Sequence, residues 1–333
     1  MHPLLSFSAS LLSLQTVFSV TRGEPACVFS GSLANATCKC CKWYSILDDM
    51  QKNLFDEGSC GEEAHEALRL TFHDAVGYST LANFKPGGAD GSIITFGDIE
   101  QAYAGNEGVQ DIAEELKYYA DFYKVSYGDI IQFGGAVGLA NCPGSPRVKF
   151  YANRPNATVV APENLLLGPR DGGDKILWRM ADVGFSPDEV VALMASHSTG
   201  RQASNTSRSK QAFDSTPTTM DTQFYLETLL KSKKNDPQLP GSVPPPVDGQ
   251  FRLQSDVAIA RHPLTACSWQ NMIDNQMSLL GQTKSRLLDC SEVIPVPQTY
   301  SQRAYYPTGT SRLDVDQACK KSSWPNIAAA QSN

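Results

Sequence analysis

The chain has 333 residues, 41% of them hydrophobic, and a formal net charge of −7. That length suits one large domain or two small ones with a sizeable core. The acidic balance, with no long basic run, excludes nucleic acid as the main partner.

The opening MHPLLSFSASLLSLQTVFSV is apolar, rich in small residues and followed by a cysteine-containing segment, as a secretory signal is. Only His2 accompanies the α-amino charge. We read 1–23 as a signal peptide cut between Ser19 and Ala26, leaving 24–333 as the mature, extracellular domain. No later apolar run reaches the roughly 18 residues of a membrane-spanning helix, so no membrane partner is expected.

Nine cysteines, at 27, 38, 40, 41, 60, 142, 267, 290 and 319, read as disulfides with one left over. The adjacent pair at 40 and 41 makes a zinc cluster with Cys38 a poor alternative. Sequons at Asn35, Asn156 and Asn205 fit a glycoprotein.

Apolar residues at three and four spacing predict helices over 43–55, 60–76, 106–122, 127–140, 173–183, 187–196 and 222–230. Gly and Pro punctuation separates them, and no stretch sustains an alternating pattern, so the fold class is mostly α. After Cys290 the irregular chain reads as a surface segment tied down by a last disulfide.

The second predicted helix, CGEEAHEALRLTFHDA at 60–75, carries four acids, two histidines and an arginine. At about 100° per residue, Glu62, Glu66, Arg69 and His73 return to within roughly 60° of one another and share a face. His65 points elsewhere. A zinc-protease reading fails, because no histidine stands four residues after His65. Further on, Val190, Leu193, Met194 and His197 form one stripe, on which a lone histidine reads more readily as core or cap than as a ligand.

Read together, RLTFHDA followed by GGADGS, then ASHS followed by FDSTP and LQSD, resembles the motif order of the secreted fungal haem peroxidases (class II), which include the lignin, manganese and versatile peroxidases. The resemblance spans about 27–319. It implies a two-lobed, disulfide-bonded fold with haem b between a distal lobe, to about 165, and a proximal lobe after it. It makes His197 the iron ligand, with Asp256 accepting from its other ring nitrogen. His73 becomes the general base, Arg69 the stabiliser of developing negative charge, and Asn106, with Glu100 behind it, the residue that orients His73. Phe72 and Phe213 would pack above and below the haem.

Asp74, Gly88, Asp90 and Ser92 match the family's first calcium site, and Ser198, Asp214, Thr216, Thr219 and Asp221 its second. Oxygen donors suit that hard cation; without the resemblance GADGS and DSTP would read as turns. The implied disulfides are Cys27 with Cys41, Cys40 with Cys290, Cys60 with Cys142 and Cys267 with Cys319, leaving Cys38 unmatched.

Glu62 and Glu66 stand where manganese-oxidising members keep two of three acidic Mn2+ ligands, but Ala203 occupies the third position. Arg201 matches an arginine that pairs with the first glutamate, and a solvated helix face with that pairing is the plainer reading. The redox-active tryptophan of lignin and versatile peroxidases is replaced by Ala192. The chain runs 14 residues past Cys319, without a long tail, which suggests an open haem edge.

The expected function is a monomeric secreted peroxidase that uses hydrogen peroxide to oxidise phenols and other small aromatic donors in one-electron steps. An atypical manganese peroxidase using Glu62, Glu66 and a haem propionate is the alternative. A haem-binding protein without turnover is a third reading, against which Arg69, His73, Asn106, His197 and Asp256 all speak.

Overall fold

The computed structural model describes residues 27–29, 32–34, 38–81, 87–202, 211–232, 241–275, 287–300 and 303–329. Among them the helices run in the order α1 (Cys41–Asn53), α2 (Glu62–Ala75), α3 (Ser92–Thr95), α4 (Gly97–Glu100), α5 (Gln110–Tyr123), α6 (Tyr127–Ala140), α7 (Gly173–Asp182), α8 (Pro187–Leu193), α9 (Gln223–Thr228), α10 (Gln254–Arg261) and α11 (Ala266–Met272). The mostly α expectation holds. Strands among the described residues are two or three residues long and paired in twos, too short for an alternating pattern to register.

One hydrophobic cluster gathers α1, α2, α5 and α6 around Trp43, Leu70, Phe133 and Phe150; a second gathers α7 to α11 around Phe224, Tyr225 and Trp269. Helix α6 is buried nearly all round, and its glycines let α2 lie against it. A Cβ on Gly138 would sit 3.0 Å from the Ala64 backbone, and one on Gly135 would strike Thr71. That close approach fixes the axis of the helix carrying His73. Two α-helix starts carry side-chain caps: the Ser126 hydroxyl accepts from Asp129 N at 3.2 Å ahead of α6, and Ser186 and Glu189 form a capping box ahead of α8.

Between the clusters, Arg179 on α7 donates to the carbonyls of Val76 and Tyr78, both at 2.6 Å, and to Asp182 at 3.0 Å. Asp182 in turn accepts from Thr80 N and Leu81 N. This buried pair ties α7 to the exit of α2.

Disulfides join Cys40 to Cys290, Cys60 to Cys142 and Cys267 to Cys319, as the resemblance implied. Cys41 is also disulfide-bonded, while the side chains of Cys27 and Cys38 lie outside the described residues. So do Asn35, Asn205 and the signal-like 1–23; Asn156 is exposed.

Most helix boundaries shift by one or two residues, α1 running from Cys41 to Asn53 rather than over 43–55, and some shift for identifiable reasons. The helix predicted from 106 begins at Gln110, because Gly108 takes φ +78° and Asn106 ends a separate 3-10 turn. The helix predicted to run to 196 is α-helical only to Leu193 and tightens into a 3-10 helix over Met194–Thr199. The prediction for 222–230 shortens to α9. Helices α3, α4, α10 and α11, each eight residues or fewer, were not expected.

Candidate active site

Helix α2 begins just after the Cys60–Cys142 disulfide and carries Arg69 and His73 one turn apart. His73 Nδ1 lies 2.7 Å from Asn106 Oδ1, and Asn106 Nδ2 donates to the Glu100 carbonyl at 2.7 Å. With its NH2 spent on that carbonyl, Asn106 presents an acceptor to the ring, so Nδ1 carries the hydrogen and Nε2 keeps its lone pair. Burial, and then the Arg69 charge, push the His73 pKa down to about 3, against the Asn106 hydrogen bond. The ring is therefore a neutral base at ordinary pH.

Arg69 is held by backbone alone, donating to Gly108 O at 3.1 Å and Glu107 O at 2.9 Å. The expectation that Glu100 stands behind Asn106 is met through its carbonyl, not its acid. The Glu100 carboxylate accepts from Ser92 Oγ at 3.1 Å and Ala161 N at 2.8 Å.

Directly after His73, Asp74 is buried; its Oδ2 accepts from Gly91 N at 3.0 Å and its Oδ1 has no hydrogen-bond partner. Gly91 takes φ +79° and packs against the Gly128 backbone with no room for a Cβ. The same turn brings Asp90, whose Oδ1 accepts from Ser92 N at 3.2 Å, and Gly88, whose carbonyl accepts from Asp90 N at 2.8 Å. Burial, with Asp90 and Glu100 adding to it, pushes the Asp74 carboxyl up to about 8 in the absence of a cation.

A second oxygen cluster surrounds Ser198. Its hydroxyl lies 2.9 Å from Asp214 Oδ2, 3.3 Å from Thr219 O and 3.3 Å from Asp221 Oδ1, while Asp214 Oδ1 accepts from Thr216 N at 2.8 Å. One hydroxyl proton cannot serve three acceptors. Burial and then Asp221 hold the Asp214 carboxyl well above its usual range. Both clusters have the oxygen-only donor set and uncompensated buried carboxylates that a hard cation relieves.

His197, next to Ser198, is placed by the 3-10 helix rather than by an α-helical stripe: Leu193 of that stripe is 45% exposed. His197 Nδ1 is 3.3 Å from Asp256 Oδ1, a contact short of hydrogen-bond geometry. Asp256 is fully buried, and neither of its oxygens has another partner. The His197 ring packs at 5.1 Å from Phe213 and 5.6 Å from Phe224. Gly200 makes room for the Phe213 ring, which a Cβ there would meet at 2.6 Å. Phe72 is 40% exposed. Phe224 gave no signal in the sequence beyond an ordinary core aromatic.

Glu62 lines a cavity of about 240 Å3 with His65, Arg201 and Thr218. His65 thus does not point away from Glu62, as the helical wheel suggested; it is buried, with Nε2 3.5 Å from Cys60 Sγ. Burial, then Glu62, push the Glu66 carboxyl up to about 7. Ala203 lies outside the described residues.

A mostly helical protein with a histidine, arginine and asparagine on one side and a histidine against a buried aspartate on the other has the layout of a peroxidase. Residues 46–275 match the peroxidase family and residues 266–333 the fungal peroxidase extension region. The chain is 44% identical to a versatile peroxidase of Pleurotus eryngii, over 91% of this chain and 87% of that protein. It is 45% identical to a low-redox potential peroxidase of Taiwanofungus camphoratus (87% and 88%) and 42% identical to a manganese peroxidase of Phlebia radiata (87% and 86%). The chain belongs to the peroxidase family, in the fungal branch with the lignin, manganese and versatile enzymes. It is a haem peroxidase that uses hydrogen peroxide to oxidise aromatic donors. The partnerless, buried Nδ1 of His197 and the carboxylate of Asp256 fit the anchoring of that haem. No helix among the described residues is long and apolar enough to cross a membrane.

Proposed function

We propose that His197 binds the haem iron through Nε2, leaving Nδ1–H for Asp256, whose buried charge makes the imidazole a stronger electron donor. When bound, the haem would supply two-electron chemistry with peroxide and one-electron oxidation of donors. His73 Nε2 would take the proton from one peroxide oxygen and deliver it to the other, which leaves as water. Arg69, held by two carbonyls, stabilises the negative charge developing on that oxygen. Phe72 and Phe213 would pack against the haem. The observation that carries this reading is the chain from His73 Nδ1 through Asn106 to the Glu100 carbonyl, which presents an unprotonated Nε2.

The two oxygen clusters hold calcium ions: Asp74, Gly88, Asp90 and Ser92 at one, Ser198, Asp214, Thr216, Thr219 and Asp221 at the other. Each flanks a site histidine in sequence, so each ion fixes the backbone beside it. Secretion as a monomeric domain over 24–333 is supported by the apolar first twenty residues and the disulfides.

Phenols and dyes reacting at the haem edge are the substrates, in a low-potential enzyme. Ala192 and Ala203 support this, since they leave no tryptophan five residues before His197 and no third manganese ligand. The second reading, Mn(II) oxidation through Glu62, Glu66 and a haem propionate, is favoured by the burial of Glu66 beside the charge of Glu62, a combination that a divalent cation would relieve. Steady-state oxidation of 2,6-dimethoxyphenol and of Mn(II), in wild type and in Ala203→Asp, separates the two. Phenol turnover with manganese activity that emerges only in the variant supports the first. Efficient Mn(II) oxidation by the wild type supports the second.

A further inference from the structure

Away from the peroxidase site, a cavity of about 280 Å3 opens where α10 meets the end of α9. Its lining includes three cationic side chains, Lys231, Arg252 and Arg261, and one carboxylate, Asp316. Val243 and Val257 supply apolar wall.

The cations are incompletely neutralised. Arg252 is 5% exposed and spends its terminal nitrogens on neutral acceptors: the carbonyls of Leu230 at 2.8 Å and Pro244 at 2.7 Å, the Thr228 carbonyl at 3.4 Å and the Ser232 hydroxyl. Its Nε has no partner. Arg261 donates to Asp316 at 3.2 Å and to Thr228 O at 3.1 Å, and among the described residues Lys231 donates to the Leu313 carbonyl alone, at 2.7 Å. Carbonyls satisfy hydrogen bonds but leave a buried formal charge standing, which is costly. Burial, and then the charge of Arg261, push Arg252 down to about 10, and only Asp256 in the opposite direction.

We propose that this cavity is a binding site for a short aliphatic carboxylate, whose anionic end accepts from Arg261 and Lys231, with the buried Arg252 charge behind them, while its hydrocarbon lies on Val243 and Val257. Charge-assisted bonds to Arg261 and Lys231 supply the affinity. The apolar wall selects an organic anion over an inorganic one. Asp316 competes for Arg261, so a ligand carboxylate must displace it or share its donor.

The test is calorimetric titration of the haem-loaded enzyme, in calcium-containing buffer at fixed ionic strength, with succinate, inorganic phosphate and chloride. Saturable succinate binding is expected, weakened about tenfold or more in Arg261→Gln. Asp316→Asn changes a largely exposed side chain, so the fold is not at risk, and should strengthen binding severalfold. No saturable heat, or affinities unchanged in both variants, overturns the site. Phosphate binding as tightly as succinate overturns the assignment of an aliphatic ligand.

Discussion

The two histidines are held by different physics. His73 sits on a long helix wedged against α6 and is fixed by directed hydrogen bonds that end on a backbone carbonyl. His197 sits on a short 3-10 helix, packed by Phe213 and Phe224 and faced by a buried carboxylate whose oxygens lack other partners. A network of satisfied bonds suits a ring that must keep one tautomer while passing a proton. Packing around a buried carboxylate without hydrogen-bond partners is what the proposed iron-ligand role of His197 needs.

The sharpest way to break this contrast is His73→Leu. It removes the base but leaves helix packing intact, and the rate of reaction with peroxide, followed by stopped-flow absorbance, should fall by about 10²- to 10⁴-fold. Asn106→Leu leaves His73 Nδ1 buried without its acceptor, at about 1–3 kcal/mol, so the same rate should fall roughly 10- to 100-fold. An unchanged rate would mean that Asn106 does not set the tautomer.

Stability separates the two sides next. Arg179→Met leaves Asp182 buried without its ion partner, and chemical denaturation should show a loss of about 3–5 kcal/mol. Removing calcium costs about 2.7 kcal/mol per site at hundredfold excess over Kd, so prolonged chelation should lower Tm by several degrees and abolish activity. Activity and Tm that both survive chelation would sink the calcium assignment.

Near neutrality the smallest effect is that of pH. Because the His73 pKa is lowered, the folded protein keeps the ring neutral while the unfolded chain protonates it near its ordinary 6.5. Its contribution to stability is therefore complete above that value and declines as pH falls toward about 3. The peroxide reaction should likewise hold steady near neutrality and fall only as pH drops through about 3.

Much of this was legible in the sequence, unevenly. The prediction of 127–140 coincided with α6, because a long apolar run closed by Asn141 and Cys142 leaves few alternatives. Helices α10 and α11 escaped because seven or eight residues give barely two turns of pattern. The shared face of Glu66, Arg69 and His73 followed from helical spacing. Their anchors did not: Arg69 and Asn106 end on the carbonyls of Glu107, Gly108 and Glu100, and a carbonyl acceptor leaves no side-chain signature. Asp74 and Asp214 carried meaning only through the family resemblance; nothing in the sequence marked them as buried, which the structure shows they are.

The Cys40–Cys290 bond spans 250 residues, and the short pairing of Tyr151–Ala152 with Leu288–Asp289 lies beside it. Cys40 is wholly buried in the first hydrophobic cluster. At about 5–20 residues per second, the ribosome delivers the second cysteine roughly 10–50 s after the first. Throughout that interval the nascent chain holds an unpaired thiol where its core will close, so the oxidising machinery must either wait for Cys290 or protect Cys40 from the six other cysteines that emerge before it.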